Sequence, residues 1–254
     1  MSIKKHANKF LAAAAATLVL TTTAHAALVG RDINGVAVAG ASAGAVFLYD
    51  TDLNITWLRN ANAGAGSNFD DGFSTTDGRM TWDNANNWAD ALTVGSFSGW
   101  RLPTTVQPDA GCSNQFNSGV TFGVVSSGYN CTGSEMGHLW YIELGNLAAT
   151  PMNNAGNFLN LLPSSSSSSS SPYWSRTEYA PDPSQPWFFD RSVGFQLHST
   201  LVGKNDSMHL AMAVRPGDVL AAQVPEPGTL LLAALALAGM GVVRRGRPFG
   251  ASVL

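Results

Sequence analysis

The sequence predicts an α+β domain, on three observations. A pair of short β-prone runs lies between residues 46 and 58, two later segments space their apolar residues as helices do, and several β-prone runs follow toward the C-terminus. No regular alternation of strand and helix, the mark of a parallel α/β sheet, runs through the chain.

Residues 27–45 are rich in small side chains and read as a flexible lead-in. Val46-Phe47-Leu48-Tyr49 and Ile55-Thr56-Trp57-Leu58 are strands, and Asp50 to Asn54 between them reads as the turn of a hairpin. Asn60 to Gly78, dense in Gly, Asn, Asp and Ser, is a long loop. Thr81 is placed to N-cap a helix carrying Trp82, Ala85, Ala89 and Leu92 on one side, with Asp83 near the positive end of its dipole. A second helix is expected from Ser134 to Leu144, stopped by Gly145-Asn146, with Met136, Leu139, Trp140 and Leu144 on its apolar side. The serine run bracketed by Pro163 and Pro172 is low in complexity and reads as an inserted loop. Strands are expected at Tyr173-Trp174-Ser175, Trp187-Phe188-Phe189, Gly194 to Leu197 and Leu210 to Val214. The domain thus runs over residues 46–220.

The two ends carry addresses rather than core. Lys4, Lys5 and Lys9 precede an apolar run from Phe10 to Leu20, and Ala24-His25-Ala26 offers small residues on either side of a cut before Ala27. That order is a secretory signal peptide, for signal peptidase to remove. At the other end, Val224-Pro225-Glu226-Pro227 breaks regular structure, an apolar segment covers residues 229–243, and Arg244, Arg245 and Arg247 follow. As a helix the segment spans roughly 22 Å at about 1.5 Å per residue, short of a full hydrocarbon core, and the arginines favour the cytoplasmic side. A permanent single-pass tail anchor is the alternative use of such a segment. Proline-Glu-proline, helix and arginines in this order resemble the PEP-CTERM sorting signal. The resemblance implies processing by an exosortase, transient passage in the inner membrane through residues 229–243, and delivery to the cell surface or its matrix.

Between the ends the charge changes. Six of the 14 basic residues leave with the termini and only Glu226 of the 17 acidic ones does, so eight cations face sixteen anions, a net of about −8. A domain this acidic lacks the electrostatic footprint of a nucleic-acid binder. Cys112 and Cys131 are the only cysteines, an even count in an exported segment, and predict one disulfide. The loop it closes, about 20 residues, corresponds to roughly 3 kcal/mol in the chain-entropy picture.

"ITWLRNAN", "MTWDNANNWADAL", "GWRLPT", "GHLWYIELGN", "YWSRTE" and "AVRPGD", in this order across residues 46–218, resemble the bacterial Lcl C-terminal domain family, a domain of unknown function. The resemblance implies a C-type-lectin-like, sulfatase-modifying-factor-like fold: two helices with twisted antiparallel sheets and the chain ends brought together. Gln107-Pro108-Asp109 and the cysteine loop stand where the family commonly has an acidic helix, and the serine run interrupts the approach to "YWSRTE". The family transfers no catalytic residues.

Several side chains are of types that could carry chemistry. Trp57, Trp82, Trp88, Trp100, Trp140 and Trp174 are expected in the core, with Trp187 the candidate for stacking on a sugar. Arg101 and Arg215 are expected to pair with carboxylates. Asp70, Asp71 and Asp77 form a candidate oxygen-rich Ca²⁺ site, set against a solvated acidic loop. Gln107-Pro108-Asp109 is similar to the sugar-specificity tripeptide of calcium-dependent lectins but lacks their later Trp-Asn-Asp. Asp50-x-Asp52-x-Asn54 opens like an EF-hand and then fails it, with Ile55 and Ala61 where Gly and Glu are needed. Gly40-Ala41-Ser42-Ala43-Gly44 matches G-x-S-x-G, with Asp190 and His209 available on paper, but a strand follows where a nucleophile elbow needs a helix. His138, His198 and His209 have no H-E-x-x-H or CxxC context for zinc hydrolysis. The expectation is therefore an exported, non-enzymatic surface or exopolysaccharide-matrix protein without a required cofactor, whose domain binds polysaccharide or protein or serves structurally. A Ca²⁺-dependent carbohydrate-binding module is the alternative, and a hydrolase using Ser42 a second one.

Overall fold

The computed structural model describes residues 28–161, 172–198, 203–205 and 209–219. The chain starts with β1 (Val29–Arg31) and β2 (Ala37–Val38), then the expected hairpin of β3 (Phe47–Asp50) and β4 (Ile55–Leu58). The hairpin is in register from Phe47 opposite Leu58 to Asp50 opposite Ile55. Its turn closes on Asp50, whose Oδ1 accepts the amides of Asp52 and Leu53 at 3.1 and 3.0 Å, while Asn54 takes a left-handed φ of 51° that asparagine tolerates. The D-x-D-x-N spelling thus encodes a turn.

After the long loop come β5 (Arg79–Met80) and α1 (Trp82–Ala91), capped as expected by Thr81, whose Oγ1 accepts the Asn84 amide. β6 (Asn114–Asn117) and β7 (Val124–Ser127) form a small hairpin inside the loop closed by Cys112 and Cys131, which are disulfide-bonded. The expected second helix is a short α2 (Glu135–His138) continued by a π-helical turn, Leu139–Glu143. The chain ends in β8 (Tyr173–Glu178), β9 (Pro186–Asp190), β10 (Phe195–His198), β11 (His209–Leu210) and β12 (Val214–Pro216).

Two five-stranded sheets result, ordered β12-β4-β3-β1-β2 and β10-β9-β8-β11-β5, antiparallel throughout except where β11 meets β8. This is the expected α+β class. The expectation of a flexible lead-in is corrected. Residues 27–45 are no mere lead-in, because β1 pairs with β3 through Gly30 opposite Leu48. Arg31 donates to Asp218 from Nε at 3.0 Å and Nη2 at 2.7 Å, tying the first strand to the end of the domain. Its partner lies 187 residues away, so local sequence carries no sign of it.

Alternation along the strands feeds two cores. Leu48, Trp57, Tyr173, Met212 and Val214 enter one, closed by Met136, Leu139 and Trp140 of the second helical segment. Phe47, Leu58, Trp174, Ala211 and Ala213 enter the other, closed by Ala85, Trp88 and Ala89 of α1. Both faces of β3 and β4 are therefore covered, which explains why they read as continuous apolar runs. Six tryptophans, Trp57, Trp88, Trp100, Trp140, Trp174 and Trp187, are buried, and Trp82 is half-buried with Nε1 donating to the Ser175 carbonyl.

Arg101 forms the expected carboxylate pair, a two-pronged bridge to Glu135 at 2.8 and 2.6 Å, and the same carboxylate accepts the Thr104 amide. Arg215 does not; it donates to the Ser98 carbonyl and lies over the Phe97 ring. The start of α2 is held against the disulfide so closely that a Cβ on Gly137 would overlap the Cys131 carbonyl oxygen. Replacing both cysteines by serine should lower unfolding free energy by about 3 kcal/mol in chemical denaturation, since the closed loop restrains the unfolded chain.

Candidate functional site

Among the described residues, a cluster of polar side chains lies where the β3–β4 turn meets the second helical segment. Asp50 is fully buried at the end of β3. Its Oδ1 is committed to the turn amides, and Oδ2 is 3.5 Å from the Trp57 indole Nε1. His138 ends α2 with its side chain 12% exposed, its Nε2 3.5 Å from Glu143 Oε1 and 4.0 Å from Asp52 Oδ2. Glu143 ends the π-helical turn with its side chain only 1% exposed. Neither carboxylate oxygen of Glu143 has a hydrogen-bond partner, nor does His138 Nε2. Asp52, half exposed, is the solvent-side edge of the group.

The π-helical turn makes this juxtaposition. At about 100° per residue, an α-helix would turn residue i+5 about 140° away from residue i. Here the Leu144 amide bonds to the Leu139 carbonyl five residues back, and the widened turn brings Glu143 beneath His138. Burial first, then the neighbouring charges of Asp50 and Asp52, pushes the Glu143 carboxyl up to about 7. Asp50, His138 and Glu143 each present a ligand atom within 4.8 Å of the others. The other such group among the described residues, Asp109, Cys112 and Cys131, has both sulfurs bound to each other and cannot ligate through thiolates.

The residues singled out in the sequence lie elsewhere. Trp187 is 1% exposed, packed edge-on to Tyr179 and His198, and has no face left for a sugar; the stacking expectation is corrected accordingly. Asp70 is buried and its Oδ2 accepts the amides of Gly66 and Gly78, Asp71 accepts that of Thr81, and Asp77 that of Arg79. These carboxylates pin their own loop and do not converge as a group of ligands. Gln107 pairs with both backbone groups of Ser126, and Asp109 accepts the amides of Gly111 and Gly133, so this tripeptide is likewise spent on internal bonds. Ser42 sits in a turn leading into β3, its Oγ accepting the Gly44 amide, with no helix after it. His209 is buried between the rings of Trp174 and Phe188, and Asp190 Oδ1 is taken by Ser192.

The His138–Glu143 pair escaped sequence reasoning because five-residue spacing is not a pattern an α-helix presents on one face. The only signal was the carboxylate pair Asp50 and Asp52, which in isolation is a turn.

The processing residues Ala24, Ala26 and Ala27, the sorting residues Val224, Pro225, Glu226, Pro227, Arg244 and Arg245, the segment 229–243 and the whole serine run lie outside the described residues. Among the described residues no helix is long and apolar enough to cross a membrane. Comparison with known families bears on the C-terminal segment. Residues 223–247 match the PEP-CTERM protein-sorting motif. The motif indicates export with a membrane-anchored sorting signal and supports an exosortase-processed surface protein. No curated protein and no solved structure matches the chain. The Lcl C-terminal resemblance of residues 46–218 gains no support from these comparisons.

Two expectations follow from the packing. Trp187→Ala should cost about 3–5 kcal/mol of stability in chemical denaturation, the penalty of an emptied core site. His198 stacks on Tyr179 at 3.8 Å with Nδ1 3.1 Å from Gln185 Oε1; burial lowers its pKa, and the charge of Asp182 only partly offsets this. The unfolded chain therefore takes up the proton first. The contribution of His198 to stability should be complete above about pH 6.5 and fall as pH drops through that range. NMR titration of the ring, together with denaturation midpoints of wild type and His198→Gln across pH, would test it.

Proposed function

We propose that the chain is an exported, non-enzymatic protein of the cell surface or exopolysaccharide matrix, with the domain between its two processing signals as the part that binds polysaccharide or another surface protein or serves structurally. The observation that carries this is the sorting motif at residues 223–247, beginning just after the last described residue of the domain, Val219, which is buried. A cut near Val224 to Pro227 would spare every described strand, since β12 ends at Pro216. Signal peptidase and an exosortase are the processing partners in this proposal.

The lectin-like reading of the domain is supported by the way its ends meet. β1 and β12 belong to one sheet, and Arg31 holds Asp218. A domain closed at its base by its own termini keeps its fold when leader and tail are removed. The acidic balance of this middle segment argues for partners other than nucleic acid.

Intact-mass and terminal-peptide mass spectrometry on the protein from its native host, cells and medium analysed separately, tests the proposal. The expected species begins at Ala27, ends near Val224 to Pro227, and is two hydrogens light at Cys112 and Cys131. Recovery only of a chain running to Leu254 in the membrane fraction would replace sorting with permanent anchorage.

A further inference from the structure

We propose that Asp50, His138 and Glu143 form a binding site for one divalent transition-metal ion of the zinc class, with Asp52 at its solvent-facing side. This goes beyond the sorting proposal and does not rest on it. The donor atoms already lie within 4.8 Å of one another. Ligands around a tetrahedral ion with bonds of about 2.1 Å sit about 3.4 Å apart, so modest side-chain rotation closes the site. His138 Nε2 and Glu143 Oε1, at 3.5 Å, are at that spacing now.

Three features call for a cation rather than a merely tolerated cluster. Both oxygens of Glu143 and the Nε2 of His138 are buried with no hydrogen-bond partner, a condition proteins avoid unless the groups are spoken for. Asp50, Asp52 and Glu143 bring like charges together, and among the described residues no lysine or arginine bridges to any of them. The π-helical turn, a costly irregularity, is what places Glu143 beneath His138.

The donor chemistry selects the ion. One imidazole with carboxylates suits Zn²⁺ and its neighbours, whereas Ca²⁺ takes six to eight oxygens and no imidazole. With three protein ligands and a half-exposed edge at Asp52, the site keeps a position open for water or for an oxygen of a bound molecule. The ion would also join the β3–β4 turn to the second helical segment, two elements far apart in the chain.

The test uses the full exported chain, stripped with chelator and titrated with Zn²⁺, Co²⁺ or Ca²⁺. Calorimetry should show one equivalent of Zn²⁺ bound, with a raised melting temperature. Co²⁺ should give visible ligand-field bands that Zn²⁺ abolishes, and Ca²⁺ should do neither. Glu143→Gln and His138→Gln should each weaken Zn²⁺ binding about 100-fold or more, beyond the loss expected from an outer-shell change. Asp182→Asn, a carboxylate outside this cluster that bonds Ser184 and Gln185, should leave it unchanged. Absence of stoichiometric binding to the wild-type chain would overturn the proposal, whatever the variants do. So would Zn²⁺ binding that survives in folded Glu143→Gln and His138→Gln, which would place the ion elsewhere, and so would a response to Ca²⁺ alone. If the variants fail to fold, the Co²⁺ spectrum of the wild type decides, since bands lacking nitrogen and oxygen ligation from one histidine and carboxylates exclude the site.

Discussion

The hairpin of β3 and β4 has no solvent face, and the remaining architecture is arranged around that constraint. Phe47 and Leu58 point into one core, Leu48 and Trp57 into the other, so each side of the hairpin needs its own cover. α1 supplies one cover and the second helical segment the other. β1 and β12 then flank the hairpin within its own sheet, occupying its backbone hydrogen-bonding edges. A strand buried on both faces has no tolerance for register slip, because a shift of one residue would exchange the contents of two differently shaped cores.

The polar cluster is a consequence of the same geometry. Asp50 ends a buried strand, and its Oδ1 must satisfy the turn amides because water cannot. The second helical segment has to lay Met136, Leu139 and Trp140 onto the core beneath that turn, which brings its polar end against Asp50 and Asp52. The widened turn at Leu139–Glu143 then decides which side chain meets His138. An ordinary α-helical turn would point Glu143 away from His138. Packing thus sets where the two elements meet, and the irregularity sets the chemistry of the meeting.

Sorting and folding are kept apart along the chain. Arg31 and Asp218 close the domain on itself, and the sorting motif begins only at residue 223. The disulfide does similar work on a local scale, holding the base of the β6–β7 hairpin while Gly137 allows α2 to approach the Cys131 backbone. Both devices let the domain hold its shape through contacts of its own, independent of the residues that flank it.

Features that local chemistry encodes can be read directly from the chain. The hairpin, the Thr81 cap and α1, the disulfide between the only two cysteines, the α+β class and the sorting motif were all legible, because each depends on neighbours in the chain or on residue type. Trp187, the candidate for sugar stacking, is buried because an aromatic ring's exposure is settled by what packs on it, here Tyr179 and His198. β1 is hard to read because it is three residues long in a stretch of small side chains, and of the contacts that fix it, β2 is shorter still while Asp218 lies at the far end of the domain. The acidic loop at Asp70, Asp71 and Asp77 has the composition of an ion site, yet the direction of its amides turns those carboxylates into loop braces. Only the tertiary structure could bring Asp50, His138 and Glu143 together, since that required a long-range docking and a helical irregularity, neither of which any local periodicity expresses.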